Sequence, residues 1–301
     1  MMNSQIDTVV LSGGSFKGYS YIGVFKRLEE LGICSQIKKI AACSVGTIFA
    51  LLFQLGYNYE KMIELAISID TRTIYNFDIR CFLTDFGFCD FSKIKDILSK
   101  ILIENDLSSE CTFQQLYDRT KIHFIVNATC LNTQSTEYFH HLVNPDMQVL
   151  TAIQMSTAVP FIFVRVKHND KFYIDGGILD NLPMTFFEKK NSTLAICLVE
   201  TPRRIDTPIE NISQYLNLLI NCVFNRYNMI REKLYYPNSY IIKISANVNL
   251  FNSQLGKEDI LQLVTTGYNQ TRYYLVLWSE KQGLKSKNKI TIKLKFKKAI
   301  C

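Results

Sequence analysis

A chain of 301 residues, 48% of them hydrophobic, holds enough apolar material for one large α/β domain or two modest ones, which excludes a disordered or fibrous protein. Lys and Arg outnumber Asp and Glu by 34 to 27, but residues 281–301 hold eight Lys and no acid, leaving 26 basic against 27 acidic side chains elsewhere. The body is therefore near neutral, its charge says little about partners, and nucleic acid is not expected among them. Nine cysteines with no CxxC pair give neither a disulfide framework nor a zinc signature, so reduced thiols in a cytosol-like compartment are expected. The start, MMNSQIDTVV, has no basic n-region, no long apolar run and no glycine for myristoylation, so no signal peptide is expected there.

In chain order, Thr8–Ser12 reads as a short buried strand and Lys17–Leu31 as a helix with Ile22, Phe25 and Leu28 on one face, stopped by Gly32. Lys39–Cys43 is a second strand, and Val45–Leu55 a helix apolar all round and hence buried. Ile40–Tyr59 lacks charge, yet its Ser, Thr, Gln and Gly content favours a core segment over a membrane span. Tyr59–Ser68 is a helix, residues 70–91 read as irregular, and Phe91–Ile103 is an amphipathic helix that Ser92 helps to cap. Ile122–Cys130 and Thr136–Leu142 are strands, Gln148–Thr157 a helix ended near Pro160, and Lys171–Ile174 and Thr193–Val199 strands. Beyond these come a helix over Ile209–Lys233, a strand over Tyr240–Ser245 and a helix over Glu258–Ser279. Strands alternating with helices predict a mostly parallel sheet covered on both faces.

The first strand-to-helix turn, Gly13-Gly14-Ser15-Phe16-Lys17-Gly18, is glycine-rich. It lacks both the GxGxxG spacing of a dinucleotide site and the GxxxxGK[ST] of a P-loop; an oxyanion hole built from backbone N–H groups is a third use, and the turn alone does not decide. The second strand ends Ala42-Cys43-Ser44-Val45-Gly46 and runs straight into a helix, the context of a nucleophile elbow in which small residues flank the serine. A serine needs a base. The four histidines, at 123, 140, 141 and 168, all precede the acid with the best context, Asp175 in Tyr173-Ile174-Asp175-Gly176-Gly177, so a Ser–Asp–His chain order is unavailable. An ordinary Asp, with a pKa near ~3.9, is a poor base; burial makes it a better one.

These motifs resemble the patatin-like phospholipase family. The glycine-rich turn, the elbow around Ser44, the small-residue segment Ser156-Thr157-Ala158-Val159-Pro160-Phe161, and Asp175-Gly176-Gly177 followed by Asn181-Leu182-Pro183 stand in the family's order. Ser15 stands where the family usually has a third glycine, and Ala42 where it has the first glycine of GxSxG. The resemblance covers residues 7–190 and implies a three-layer α/β/α sandwich with a mostly parallel sheet. Residues 191–301 are read as a mainly helical C-terminal part that completes the fold. It further implies a lipid acyl hydrolase with Ser44 as nucleophile and Asp175 as base. Gly13, Gly14, Ser15, Lys17 and Gly18 would form the oxyanion turn, Ala42 and Gly46 would flank the elbow, and Gly176 and Gly177 would turn the chain after the acid. No metal or other cofactor is required, and the partner is a phospholipid or other lipid ester. The alternative function is a lipid-binding or scaffold protein that keeps the fold without turnover.

Plainer roles compete at several positions. Lys17 also reads as a solvated first-turn residue, Ser44 as a helix cap, Asp175 as a turn residue, and Asp180 as a capping or turn group. His140 and His141 alternate on a strand, so at most one faces any site; His168 sits exposed in a hairpin; Cys43 is buried packing. The tail Lys285–Lys298 alternates apolar and basic residues, as an edge strand does, and offers peripheral contact with an anionic membrane for an otherwise cytoplasmic protein.

Overall fold

Among the described residues ten runs form strands: β1 Thr8–Leu11, β2 Lys39–Ala42, β3 Gly87–Cys89, β4 His123–Cys130, β5 Ser135–Phe139, β6 Phe161–Phe163, β7 Val166–His168, β8 Lys171–Asp175, β9 Thr193–Val199 and β10 Ile241–Ser245. Among the described residues the helices with defined bounds are α1 Ser20–Glu30, α2 Val45–Gln54, α3 Tyr59–Ser68, α4 Ile79–Asp85, α5 Ser92–Glu104, α6 Phe113–Thr120, α7 Val149–Thr157, α8 Gly177–Asp180 and α9 Lys257–Lys281. The structure, a computed structural model, describes residues 6–74, 78–187, 192–199, 208–210, 214–216, 218–219, 222, 241–246 and 255–281. Most of the helix expected over Ile209–Lys233 and the whole basic tail Lys285–Lys298 lie outside the described residues.

The main sheet has the order β10-β9-β1-β2-β4-β8-β7, with β5 also paired to β4. The run from β10 to β4 is parallel, while β8, β7 and β5 are added antiparallel. Side chains alternate along each central strand and both sets are buried. Val9 and Leu11, Ile40 and Ala42, Phe124 and Val126, and Leu194 and Ile196 enter a large core formed with the helices. Val10, Ala41, Ile125 and Ala195 face a smaller core closed by Leu182 and Met184. Burial of both faces is why these strands read as continuous apolar runs.

α1 and α9 cross closely. A β-carbon on Gly23 would strike the Val264 carbonyl, and one on Gly267 would strike that of Ser20. Two small residues thus let the C-terminal helix lie directly on α1, and Gln270 of α9 bonds both the N–H and the C=O of Ser245 at the end of β10.

Several local expectations need correction. The helix after the glycine turn starts late: Ser15–Tyr19 is a tight 3-10 turn, and α1 proper begins at Ser20. Lys17 is not solvated but buried, at 6% exposure. Residues 70–91 are not irregular throughout, since they hold α4 and β3, and β3 pairs with β6 in a separate two-stranded sheet. Phe91, not Ser92, occupies the N-cap position of α5 and makes no side-chain capping bond, while the N–H of Ser92 donates to Asp90 just before it. β5 ends at Phe139, which leaves His140 and His141 in the following turn, where strand alternation no longer applies. Both are buried, and both rings meet His123, at 4.9 and 4.7 Å. His168 is half-buried in the β7–β8 hairpin, beside the Asn169 amide.

Candidate active site

β1 and β2 are parallel neighbours, and both of their carboxyl ends turn into helices at the same sheet edge. Ser44 sits between β2 and α2 with φ 51 and ψ −131. A non-glycine residue rarely takes that conformation, which stores about 1–3 kcal/mol and marks a functional turn when the surroundings enforce it. The enforcement is visible. A β-carbon on Gly46 would lie 2.7 Å from the Ser12 carbonyl oxygen and 3.0 Å from that of Leu11, so only glycine lets α2 start this close to β1. The backbone N–H of Ser44 donates to Ser156 Oγ at 2.9 Å. Ser44 occupies the N-cap position of α2, but its side chain makes no capping bond, so the cap reading fails.

Asp175 is the last residue of β8 and is 1% exposed. Its N–H donates to the Ala158 carbonyl at 2.8 Å, and the next N–H, that of Gly176, donates to the Ser156 carbonyl at 3.3 Å. The C-terminal end of α7 therefore holds the serine elbow through Ser156 Oγ and the aspartate turn through two backbone carbonyls. The two carboxylate oxygens differ. Oδ1 accepts the Gly177 N–H at 2.7 Å, which is the turn role expected of an Asp-Gly. Oδ2 is buried without a hydrogen-bond partner among the described residues. Burial raises the pKa of Asp175 from 3.8 to about 7, and the neighbouring Ser44 hydroxyl and the Gly177 amide offset that only in part.

The glycine turn lies against both. A β-carbon on Gly13 would fall 2.8 Å from Ser44 Cβ and 2.6 Å from Asn181 Oδ1. The Gly13 N–H is already committed to Asn181, whose carbonyl and Oδ1 accept it at 3.3 and 3.1 Å. Ser15 has φ 52, a left-handed conformation that explains why a glycine is at home in this position. Gly18 packs against Val45 and Phe49 of α2, and Lys17 is buried in the same turn, so these two residues help to seat the turn against α2, while Ser15, Phe16 and Tyr19 line the cavity.

Sequence reasoning missed a buried polar group behind the acid. Asp180 is not a helix cap. It is fully buried, and its Oδ2 accepts the Tyr138 hydroxyl at 2.6 Å and the Thr185 hydroxyl at 3.1 Å. Asn127 Nδ2 donates to the Asp180 carbonyl at 2.8 Å. These partners come from β4, β5 and the turn after α8, and no local pattern links them. Cys43 is fully buried, and burial pushes its thiol well above the usual range, which disfavours the thiolate. Among the described residues no group of three or more His, Cys, Asp or Glu is placed to hold a metal ion.

A cavity of about 150 Å³ opens at the serine. Ser44, Ser15 and Thr157 stand at its polar end, and the remaining walls are apolar, with Phe49, Leu52, Met62, Leu98, Ile101 and Phe163 among them. Such a wall suits a hydrocarbon chain. Among the described residues no helix is long and apolar enough to cross a membrane.

The fold and sequence have known counterparts. VipD from Legionella pneumophila superposes with a TM-score of 0.62 at 18% identity, covering 91% of this chain and 67% of that one. An uncharacterised protein of Acanthamoeba polyphaga mimivirus is 29% identical over 86% of this chain and 90% of its own length. A probable lipid hydrolase of Invertebrate iridescent virus 6 is 28% identical over 69% of this chain and 73% of its own. The family model for patatin-like phospholipase matches residues 9–187, which span every motif described above. The chain belongs to the patatin-like phospholipase family, and lipid hydrolysis is the activity its named relative points to.

Proposed function

We propose that the protein hydrolyses fatty-acyl esters of lipids through an acyl-serine intermediate on a Ser44–Asp175 dyad. The observation that carries this reading is the inequality of the Asp175 oxygens. One is used by the turn; the other is buried, without a hydrogen-bond partner among the described residues, next to a strained serine, on a carboxyl whose pKa is about 7. A base that titrates near the working pH is best matched to remove a hydroxyl proton.

In this reading Asp175 Oδ2 accepts the Ser44 Oγ proton as Oγ attacks the ester carbonyl, and the contact between them tightens once substrate is bound. The tetrahedral oxyanion is held by the N–H groups of Gly14 and Ser15, since that of Gly13 is spent on Asn181. Protonated Asp175 returns the proton to the leaving alcohol. The acyl chain stays in the apolar cavity while Asp175 takes a proton from water, which attacks the acyl-serine; Asp175 then returns that proton to Ser44 Oγ as the fatty acid leaves.

The test is labelling of wild type and Ser44→Ala with a fluorophosphonate, which phosphonylates an activated serine. Labelling of wild type alone is expected. No labelling of either would sink the dyad and favour a lipid-binding protein that retains the fold.

A further inference from the structure

α4 is at odds with its own sequence. Ile79, Phe82, Leu83 and then Phe86 recur at the three-and-four spacing of one helix face, yet the helix has no buried residue. Ile79 is 60% exposed, Leu83 72% and Phe86 56%. Phe161, on the strand that pairs with β3 opposite Gly87, adds another exposed ring. Single exposed apolar residues are ordinary, but a contiguous row of them marks an interaction surface.

The row is firmly held. The Phe82 ring stacks on Phe88 at 4.4 Å, the Asp78 N–H donates to the Phe88 carbonyl, and the Arg165 N–H donates to that of Asp85. The Arg165 guanidinium lies over the Phe86 ring at 4.7 Å. The other side of the same unit faces the substrate cavity: Ile162 and Phe163, next in sequence to exposed Phe161, line it, as does Ile74. The exposed row is thus joined through Phe161 and the β3–β6 pair to residues that line the apolar cavity.

The charges around the row identify its partner. Arg80 pairs with Asp78 at 2.8 Å, Arg72 with Asp70 at 2.7 Å, and Arg165 with Asp85 at 3.9 Å. Cations already paired within the chain offer little to an anionic surface, so the partner is apolar and its charge is immaterial. We propose that the Ile79–Leu83–Phe86–Phe161 row inserts into the acyl region of a lipid bilayer and docks the cavity wall on it, independently of headgroup charge. The choice of a bilayer as occupant rests on the lipid-hydrolase reading above.

The experiment is sedimentation with neutral phosphatidylcholine vesicles at about 0.5 M salt, where long-range attraction is screened. Wild type is expected to bind equally at low and high salt. Leu83→Asp, and independently Ile79→Asn, are expected to lower the partition coefficient at least ~tenfold, the scale for losing one large buried side chain. Neither should change turnover of a soluble short-chain ester, which confirms that both variants fold. The proposal is overturned if wild type ignores neutral vesicles, if its binding falls with salt, or if both variants bind like wild type. It is also overturned if sedimentation velocity shows a wild-type dimer that Leu83→Asp dissociates, which would give the surface to a second copy. Vesicle binding needs no turnover, so a protein that binds through this row but hydrolyses nothing would sink the dyad and leave the docking surface standing.

Discussion

Ser156 Oγ accepts the N–H of Ser44 at 2.9 Å, across 112 positions of sequence, while the carbonyl of the same Ser156 accepts the N–H of Gly176. One residue therefore sets the separation of the serine elbow from the aspartate turn. The elbow belongs to β2 and α2, the acid to β8, and the last turn of α7 is the clamp between them.

Ser156→Ala tests that clamp. The variant keeps the backbone carbonyl but strands the Ser44 N–H in the interior, a loss of about 1–3 kcal/mol. A displaced elbow costs more in rate than in stability, because a 1 Å error at a reacting atom is worth about 10²-fold. The expected outcome is a fall in kcat of that order with a small change in KM for a soluble ester, read beside a thermal melt. Unchanged kcat would show that Gly46 and the strand ends hold Ser44 without help.

Asp175 links activity and stability to pH with opposite signs. Its folded pKa of about 7 lies above its ordinary 3.8. Between those values the unfolded chain has released a proton that the folded protein keeps, so stability falls as pH rises through that window and levels off above about pH 7. By the usual ~1.4 kcal/mol per pKa unit the loss is on the order of 4 kcal/mol. Activity runs the other way: kcat/KM should climb about tenfold per unit below pH 7 and then plateau. Asp175→Asn removes both effects. It should abolish most turnover, retain the bond from the Gly177 N–H, and melt higher than wild type at pH 8 but not at pH 4. A variant less stable than wild type at pH 8 would show that the carboxylate is not a buried burden.

The two strand-to-helix turns were legible from sequence because their constraints are local. A glycine two positions after a serine, between a buried strand and an apolar helix, is required by the approach of Gly46 to the Ser12 carbonyl. The central strands were legible for the same reason, since two-sided burial leaves uninterrupted apolar runs such as Thr8–Leu11 and Thr193–Val199. What escaped depends on distant partners. The Tyr138–Asp180–Thr185 network is assembled from separate elements. His140 and His141 could be placed only by knowing that β5 stops at Phe139. The apolar positions of α4 keep helical spacing for only two turns and their face is not buried, so neither a long periodic run nor a core contact marked the helix within residues 70–91.

Gly46→Ala probes the elbow by crowding. The added methyl meets backbone oxygens of Ser12 and Leu11, which no rotamer change can move. Overpacking of this kind costs about 1–3 kcal/mol. The strain can be relieved only by tilting α2 away from β1, which carries Ser44 with it. Loss of fluorophosphonate labelling together with a lowered melting temperature is expected. A variant that melts lower but labels at the wild-type rate would uncouple the elbow from this contact.

Ser15→Gly probes the departure from the usual glycine turn. Ser15 holds φ 52, where a β-carbon costs about 1–2 kcal/mol, and glycine would relieve it. Glycine also gives the unfolded chain about 0.4–1 kcal/mol of extra freedom, so the two effects nearly balance and the melting temperature should hardly move. The functional outcome is the informative one. If only the backbone N–H at this position meets the oxyanion, removing the side chain leaves that donor in place and clears space beside Ser44, where Ser15 lines the cavity. Turnover of a short-chain ester should stay the same or rise. A fall of about tenfold or more, approaching the ~10²-fold scale of a lost oxyanion donor, would assign the role to the Ser15 hydroxyl instead. It would also mean that serine stands at this turn because its side chain is used.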